Sequence, residues 1–317
     1  MIALRRRELL LACVSSHNSA RRAFIEGRSR LEIKMDSNAS SWENAVIWLR
    51  NQPSQRQLVL DAFYDDPLIS AAERYFRSSE WQAVSRLLQG RTGTALDVGA
   101  GRGIASYALA RDGFKVTALE PDPSPIVGAS AIRALASDAS LPIDAVEEFS
   151  ERLPFRDGTF DVVFARAVLH HTRNLDLACS EMYRVLRPGG IVIAAREHVI
   201  SKESDLGEFL GCHPLHHLYG GEHAFVLDRY IGALNAAGFD RLDVLSPLKS
   251  PINLFPYTVG TLRDVVIDKI SQRMPARPFW HVALGSDRIF QALLSIAERF
   301  DNRPGRLYSF VGYKVVS

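Results

Sequence analysis

A brief β-type run leads directly into three alternate glycines, Ala95-Leu96-Asp97-Val98-Gly99-Ala100-Gly101-Arg102-Gly103, followed by a helical pattern. This feature limits the fold more than any other. Glycines at such a junction let the backbone turn sharply, approach a ligand closely and present amides at a helix N-terminus. Ile104 follows Gly103, so the pattern is GxGxG and not the dinucleotide GxGxxG fingerprint, which counts against a nicotinamide-dependent oxidoreductase. The next β-type run ends at Glu120, 19 residues beyond Gly101, where a carboxylate can accept hydrogen bonds from both hydroxyls of a ribose. The turn and the acid together specify a ligand that contains a nucleoside.

Around this centre, β-rich runs (94–98, 115–119, 143–149, 159–165, 190–195) alternate with helical ones (104–112, 125–135, 175–186). Such alternation predicts βαβ units and a parallel sheet covered on both faces. A helix over 227–237 ends at Gly238, and 241–245 and 306–315 read as the last strands. Apolar residues at helical spacing over 45–90 predict a helical lead-in. Residues 247–305, with helical periodicity over 257–271 and 285–300 and repeated prolines, predict a helical insertion or cap before the terminal strand. The cap is expected to contribute to acceptor selection or dimerisation, and its aromatics (Phe255, Tyr257, Phe279, Trp280, Phe290, Phe300) to lie mainly in a core, with an apolar substrate pocket as the alternative.

Four segments, in order, resemble the class I S-adenosylmethionine-dependent methyltransferases, in particular the type-11 branch that includes quinone and small-molecule methyltransferases. They are Leu96 to Gly103; Val116-Thr117-Ala118-Leu119-Glu120-Pro121-Asp122; Glu151-Arg152-Leu153-Pro154-Phe155 with Phe160-Asp161-Val162-Val163; and Arg184-Val185-Leu186-Arg187-Pro188-Gly189-Gly190. The resemblance implies a three-layer Rossmann-like α/β fold, with a mostly parallel seven-stranded sheet, the last strand antiparallel. The core would occupy 91–246 and 306–317. The resemblance also implies S-adenosyl-L-methionine as cofactor, with Asp97, Gly99, Ala100 and Gly101 around its methionyl end and Glu120 on its ribose. Pro121 and Asp122 would border the adenine, and Ala167 would line the same site. Relatives often carry an acid after the third strand for the adenine amino group; here Phe149 stands in the aligned segment, leaving Ser150, Glu151 or the backbone to do this work.

Methyl transfer from a sulfonium is an in-line displacement accelerated by positioning, and an O or N acceptor benefits from a general base. Seven of the nine histidines fall between 170 and 223. His170 and His171 are expected to be structural or to line the cofactor site. Ligands of open α/β sheets sit beyond the carboxyl ends of the strands, so Glu197 and His198 are expected to face an acceptor. The densest cluster, from Cys212 and His213 through His216, His217, Tyr219 and Glu222 to His223, matches neither HExxH nor Cys2His2 spacing, so no metal is expected. A loop over the acceptor pocket is the reading adopted, with His198, His217 and Tyr219 as catalytic candidates and His223 as a further contact. The expected acceptor is a small molecule or glycan; a non-catalytic cofactor-binding or scaffolding protein of the same fold is the alternative.

Composition excludes several other classes. With 317 residues, 47% hydrophobic and 23% charged, the chain is globular, and its net +2 marks no nucleic-acid binder. The charge is uneven, because residues 1–34 hold eight basic and three acidic side chains, a local +5, leaving −3 for the other 283. Residues 1–44 are expected to be a basic, disordered leader, with Met35 as the natural start; the apolar run 9–14 is shorter than the ~7 to 15 residues of an export signal core. No apolar stretch approaches the ~20 residues of a membrane span. Three scattered cysteines, Cys13, Cys179 and Cys212, form no framework and suggest free thiols in a cytoplasmic protein.

Overall fold

The computed structural model describes residues 41–213 and 215–315. Four helices come first: α1 (Trp42–Arg50), α2 (Arg56–Asp61), α3 (Leu68–Phe76) and α4 (Ser79–Leu87). The alternating core follows as β1 (Thr94–Val98), α5 (Ile104–Arg111), β2 (Lys115–Leu119), α6 (Ala129–Ala139), β3 (Ile143–Val146), β4 (Phe160–Arg166), α7 (Leu175–Val185) and β5 (Leu186–Ile200). Short helices α8 (Leu206–Cys212) and α9 (His216–Tyr219) then precede β6 (Phe225–Val226), α10 (Leu227–Ala237) and β7 (Arg241–Leu245). The chain continues through α11 (Pro251–Leu254), α12 (Val259–Arg273), α13 (Arg277–Ala283) and α14 (Asp287–Arg299) to β8 (Arg306–Tyr313).

Strands run in the order β3-β2-β1-β4-β5-β8-β7, and β8 alone on this path is antiparallel to its neighbours, pairing with both β5 and β7. The expected seven-stranded path is present; a two-residue eighth strand, β6, adds parallel pairing to the far end of β5. Two apolar layers cover the sheet. On one face Phe63, Tyr75, Trp81, Ala108, Ile132 and Ile252 pack against Ala95, Val116 and Val311, so the lead-in helices share a core with the strands. On the other, Leu175, Met182, Tyr230 and Phe239 pack on Leu96, Val163 and Val192. Residues of α12 to α14 bury a separate cluster around Val266, Ile267, Phe290 and Leu294.

Several boundaries differ from the sequence-based expectation, for local reasons. Helix α6 starts at Ala129 instead of 125 because Ser124 and Asp122 take the preceding amides: Ser124 Oγ accepts from the N–H groups of Ile126 and Val127, and Asp122 Oδ1 from that of Ser124. A Cβ at Gly128 would lie 2.0 Å from the Asp122 carbonyl oxygen, which explains the glycine there. Strand β3 stops at Val146, and Phe149, expected to end it, is half exposed beneath the Arg173 guanidinium. Strand β5 is longer than expected: beyond a register shift between Ala194 and Glu197, with Arg196 at φ 62°, it continues to pair with β8 and takes up β6. Helices α8, α9, α11 and α13 were not anticipated; each is seven residues or shorter, too brief to show a period. Gly238 caps α10 in the left-handed conformation, as expected. Cys179 is buried and Cys212 half-buried, both unpaired; Cys13 and nearly all of the basic leader lie outside the described residues. Among the described residues, no helix is long and apolar enough to cross a membrane.

Candidate active site

A cavity of about 460 Å³ opens beyond the carboxyl ends of β1, β2, β4 and β5. Its first half is built by the glycine turn. Gly99, Gly101 and Gly103 all have positive φ (61°, 54° and 81°), and a Cβ at Gly99 would press to 2.7 Å from the Val168 side chain, so the turn is closed to larger residues. Glu120, at the end of β2, lies across this turn. Its carboxylate accepts from the Gly101 N–H (2.8 Å) and the Asp122 N–H (3.0 Å), and burial raises its pKa to about 7. Asp97, at the floor, accepts from the Ser106 hydroxyl at 2.6 Å; burial raises it to about 7 despite that bond, with Glu120 adding to the rise.

The residues expected at the cofactor converge here. Asp97, Gly99, Ala100, Gly101 and Glu120 line the cavity, together with Pro121, Ser150, Glu151 and Ala167. Phe149 lines it as well. Glu151 already accepts from the Arg173 N–H at 2.7 Å and from the Ser150 hydroxyl at 3.2 Å, so Ser150 Oγ offers a ligand its acceptor side. Asp122 is the exception. It lies outside the lining, its carboxylate spent on the turn that launches α6.

The second half is assembled from distant segments. After β4, a single helical turn (Leu169–His171) is held by Glu197, which accepts from the N–H groups of Val168, Leu169 and His170 and from His170 Nδ1 at 2.6 Å. Glu197 is therefore an entirely buried support and does not face an acceptor, in contrast to the expectation. Burial raises its pKa to about 7, against the pull of these donors. His198, the next residue, does line the cavity; its Nδ1 meets the Gly305 carbonyl at 3.3 Å, which leaves Nε2 as the free ring nitrogen. Burial, with His170 nearby, holds the His198 imidazole well below its ordinary pKa, which favours the neutral ring.

Of the histidine-rich segment, His213, Leu215, Tyr219 and Glu222 reach the cavity. Tyr219 donates its hydroxyl to Glu222 Oε1 at 2.6 Å, and its pKa is raised by burial and that carboxylate. His217 lies outside, its Nε2 3.0 Å from the Gly211 carbonyl, and His223 packs against Phe225. The loop is seated on the lead-in, where Leu218 buries against Ala45, Leu49 and Val59. Trp42 and Tyr64, joined by a hydrogen bond of 3.3 Å, complete the wall. Among the described residues, none of the insertion's six aromatics lines this cavity, whose cover includes Trp42 and Tyr64 of the lead-in and His213, Leu215, Tyr219 and Glu222. Arg102 ties the two halves: its buried guanidinium donates to the carbonyls of Phe63 and Asp65, both at 3.0 Å, and pairs with Asp66.

The methyltransferase-domain family matches residues 96–194, the span from β1 to β5 that carries the glycine turn and Glu120. The core is a class I S-adenosylmethionine-dependent methyltransferase domain. Among curated relatives of this methyltransferase core, an uncharacterized methyltransferase of Mycobacterium sp. (strain JLS) is 35% identical over 157 residues, 50% of this chain and 52% of that one. A ubiquinone biosynthesis O-methyltransferase of Methylobacterium sp. (strain 4-46) is 34% identical over 102 residues, 32% of this chain and 40% of the relative. The chain spans about half the length of the curated relatives it matches. In fold, the geranyl diphosphate C-methyltransferase of Streptomyces coelicolor A3(2) is similar with a TM-score of 0.51 at 13% identity, over 74% of this chain and 76% of that one.

Proposed function

We propose that this chain transfers the methyl group of S-adenosyl-L-methionine to a small-molecule or glycan-type acceptor, releasing S-adenosylhomocysteine. The observation that carries the reading is the continuity of one cavity from the Glu120 and glycine-turn end to an end walled by imidazoles and a tyrosine. The first end suits a nucleoside: Glu120 for the ribose hydroxyls, Pro121 and Phe149 as apolar faces for the adenine, Ser150 for its amino group. Asp97, deep in the floor, suits the ammonium group of the methionyl moiety. The relatives named for O-methylation and C-methylation of small molecules support an acceptor of that size.

In-line displacement needs the nucleophile, methyl carbon and sulfur held collinear, which a preformed cavity provides. His198 is the favoured general base. Its Nε2, left open by the Nδ1 contact with Gly305 and lining the cavity, is placed to take a proton from the acceptor as the C–O or C–N bond forms and the C–S bond breaks. Calorimetric titration of the full chain with S-adenosylhomocysteine tests the reading, with NAD as the control. One-to-one binding of the sulfur ligand is expected; its absence overturns the proposal.

A further inference from the structure

At the acceptor end three side chains from two segments form a ligand set that their spacing in sequence conceals. We propose that His170 Nε2, His171 Nε2 and Glu222 Oε2 bind one divalent transition-metal ion, and that this ion takes a hydroxyl oxygen of the acceptor as a further ligand.

Each imidazole nitrogen lies 3.8 Å from Glu222 Oε2, and the three ligand atoms all lie within 4.8 Å of one another. Bonds of about 2.0 to 2.2 Å hold ligand atoms no more than about 4.4 Å apart, so the set closes on an ion with a small adjustment. The outer contacts are also those of a metal site. His170 Nδ1 is held by the Glu197 carboxylate at 2.6 Å and His171 Nδ1 by the Gly221 carbonyl at 3.0 Å. Both contacts make Nδ1 the donor and turn the Nε2 lone pair toward Glu222, the carboxylate–histidine arrangement that orients metal ligands.

Glu222 itself is a nearly buried acid, its side chain 4% exposed, and among the described residues its ion-pair neighbours are imidazoles alone: those of His170, His171 and His213. His213 Nδ1, 3.8 Å from Glu222 Oε1, is buried without a hydrogen-bond partner. A cation between these groups supplies the charge that the carboxylate lacks. Two imidazoles with one carboxylate select a transition metal over magnesium or calcium, which prefer oxygen ligands throughout. All three ligands line the cavity, so the remaining coordination positions open toward the acceptor.

This assignment rests on the proposed methyl transfer for its chemistry. A coordinated hydroxyl has its acidity raised by the ion. Its proton passes to His198 Nε2, the oxygen attacks the methyl carbon of the sulfonium, the C–O bond forms, and the C–S bond breaks with its electron pair staying on sulfur. The substrate class is therefore a hydroxylated small molecule.

The test uses the full chain prepared without a polyhistidine tag, stripped with chelator and titrated with Co2+ while the visible absorption is followed. One ion per chain with a spectrum of nitrogen and oxygen ligation is expected, weakened at least about tenfold in His171→Ala. Glu222→Gln should lose binding; if that variant does not fold, His171, partly exposed, still decides the matter. No Co2+ binding by the wild type overturns the site. So does unchanged affinity in His171→Ala, which would move the ion elsewhere. A parallel titration with S-adenosylhomocysteine separates the two claims, because its failure removes the methyl-transfer reading and leaves the metal site to stand on the Co2+ result.

Discussion

The two halves of the cavity are built in opposite ways. The cofactor half is written in consecutive residues: a strand end, three glycines and an acid one strand later place backbone amides and a carboxylate with almost no help from elsewhere. The acceptor half gathers residues 42, 64, 170, 171, 198, 213, 219 and 222 into one wall, held by a buried carboxylate beneath and a docked loop above. A substitution in the first half should act on one ligand. One in the second should act on geometry shared by many groups.

Removing the base gives the sharpest separation. His198→Ala should lower turnover by about 10² to 10⁴-fold while leaving S-adenosylhomocysteine affinity intact, read from steady-state rates beside calorimetry. Equal loss of both would merge the halves. Glu197→Ala removes the acceptor of four hydrogen bonds and should cost roughly 3 to 5 kcal/mol of stability in urea unfolding. A cost below about 1 kcal/mol would mean the turn after β4 stands without it.

Glu120→Ala should weaken S-adenosylhomocysteine binding by about 10 to 100-fold, the worth of hydrogen bonds to a charged group. Ionisation gives a finer version of the same comparison. Glu120 has its folded-state pKa raised to about 7, so the folded protein holds its proton where the unfolded chain has lost it, and stability from this group falls as pH rises from about 4 through 7. Ribose binding favours the carboxylate and runs the other way. Affinity should rise between pH 6 and 8 in wild type, and the rise should shrink by about tenfold in Glu120→Gln, leaving only the part that Asp97, raised to about 7 as well, contributes. The smallest effect belongs to His217→Ala, whose ring sits on the Gly211 carbonyl; turnover should remain within about twofold, and a larger drop would return His217 to the acceptor site.

This contrast also explains what was legible in the sequence. Gly99, Gly101 and Glu120 could be read because each acts within its own turn or on an adjacent strand, and the strand order follows from the same alternation. Asp122 looked like part of that motif, but its side chain serves the backbone two residues on. The acceptor wall left only a density of histidines. Which of them converge depends on the register shift at Arg196, which buries Glu197 and brings His198 to the cavity, and on how α9 sits on α1 and α2. Neither has a local pattern. The docking role of the lead-in was hidden for the same reason, since Arg102 reaches back 39 residues to Phe63.

That reach of Arg102 separates the stretch that the family match covers from the piece that can stand alone. The match to the methyltransferase-domain family begins at residue 96, yet a chain cut at Gly90 would lose Tyr75 and Trp81 from the layer over β1 and leave a buried guanidinium facing carbonyls that are no longer there. The smallest autonomous unit therefore begins ahead of Phe63, and anyone trimming this protein to the family match would discard part of its hydrophobic floor.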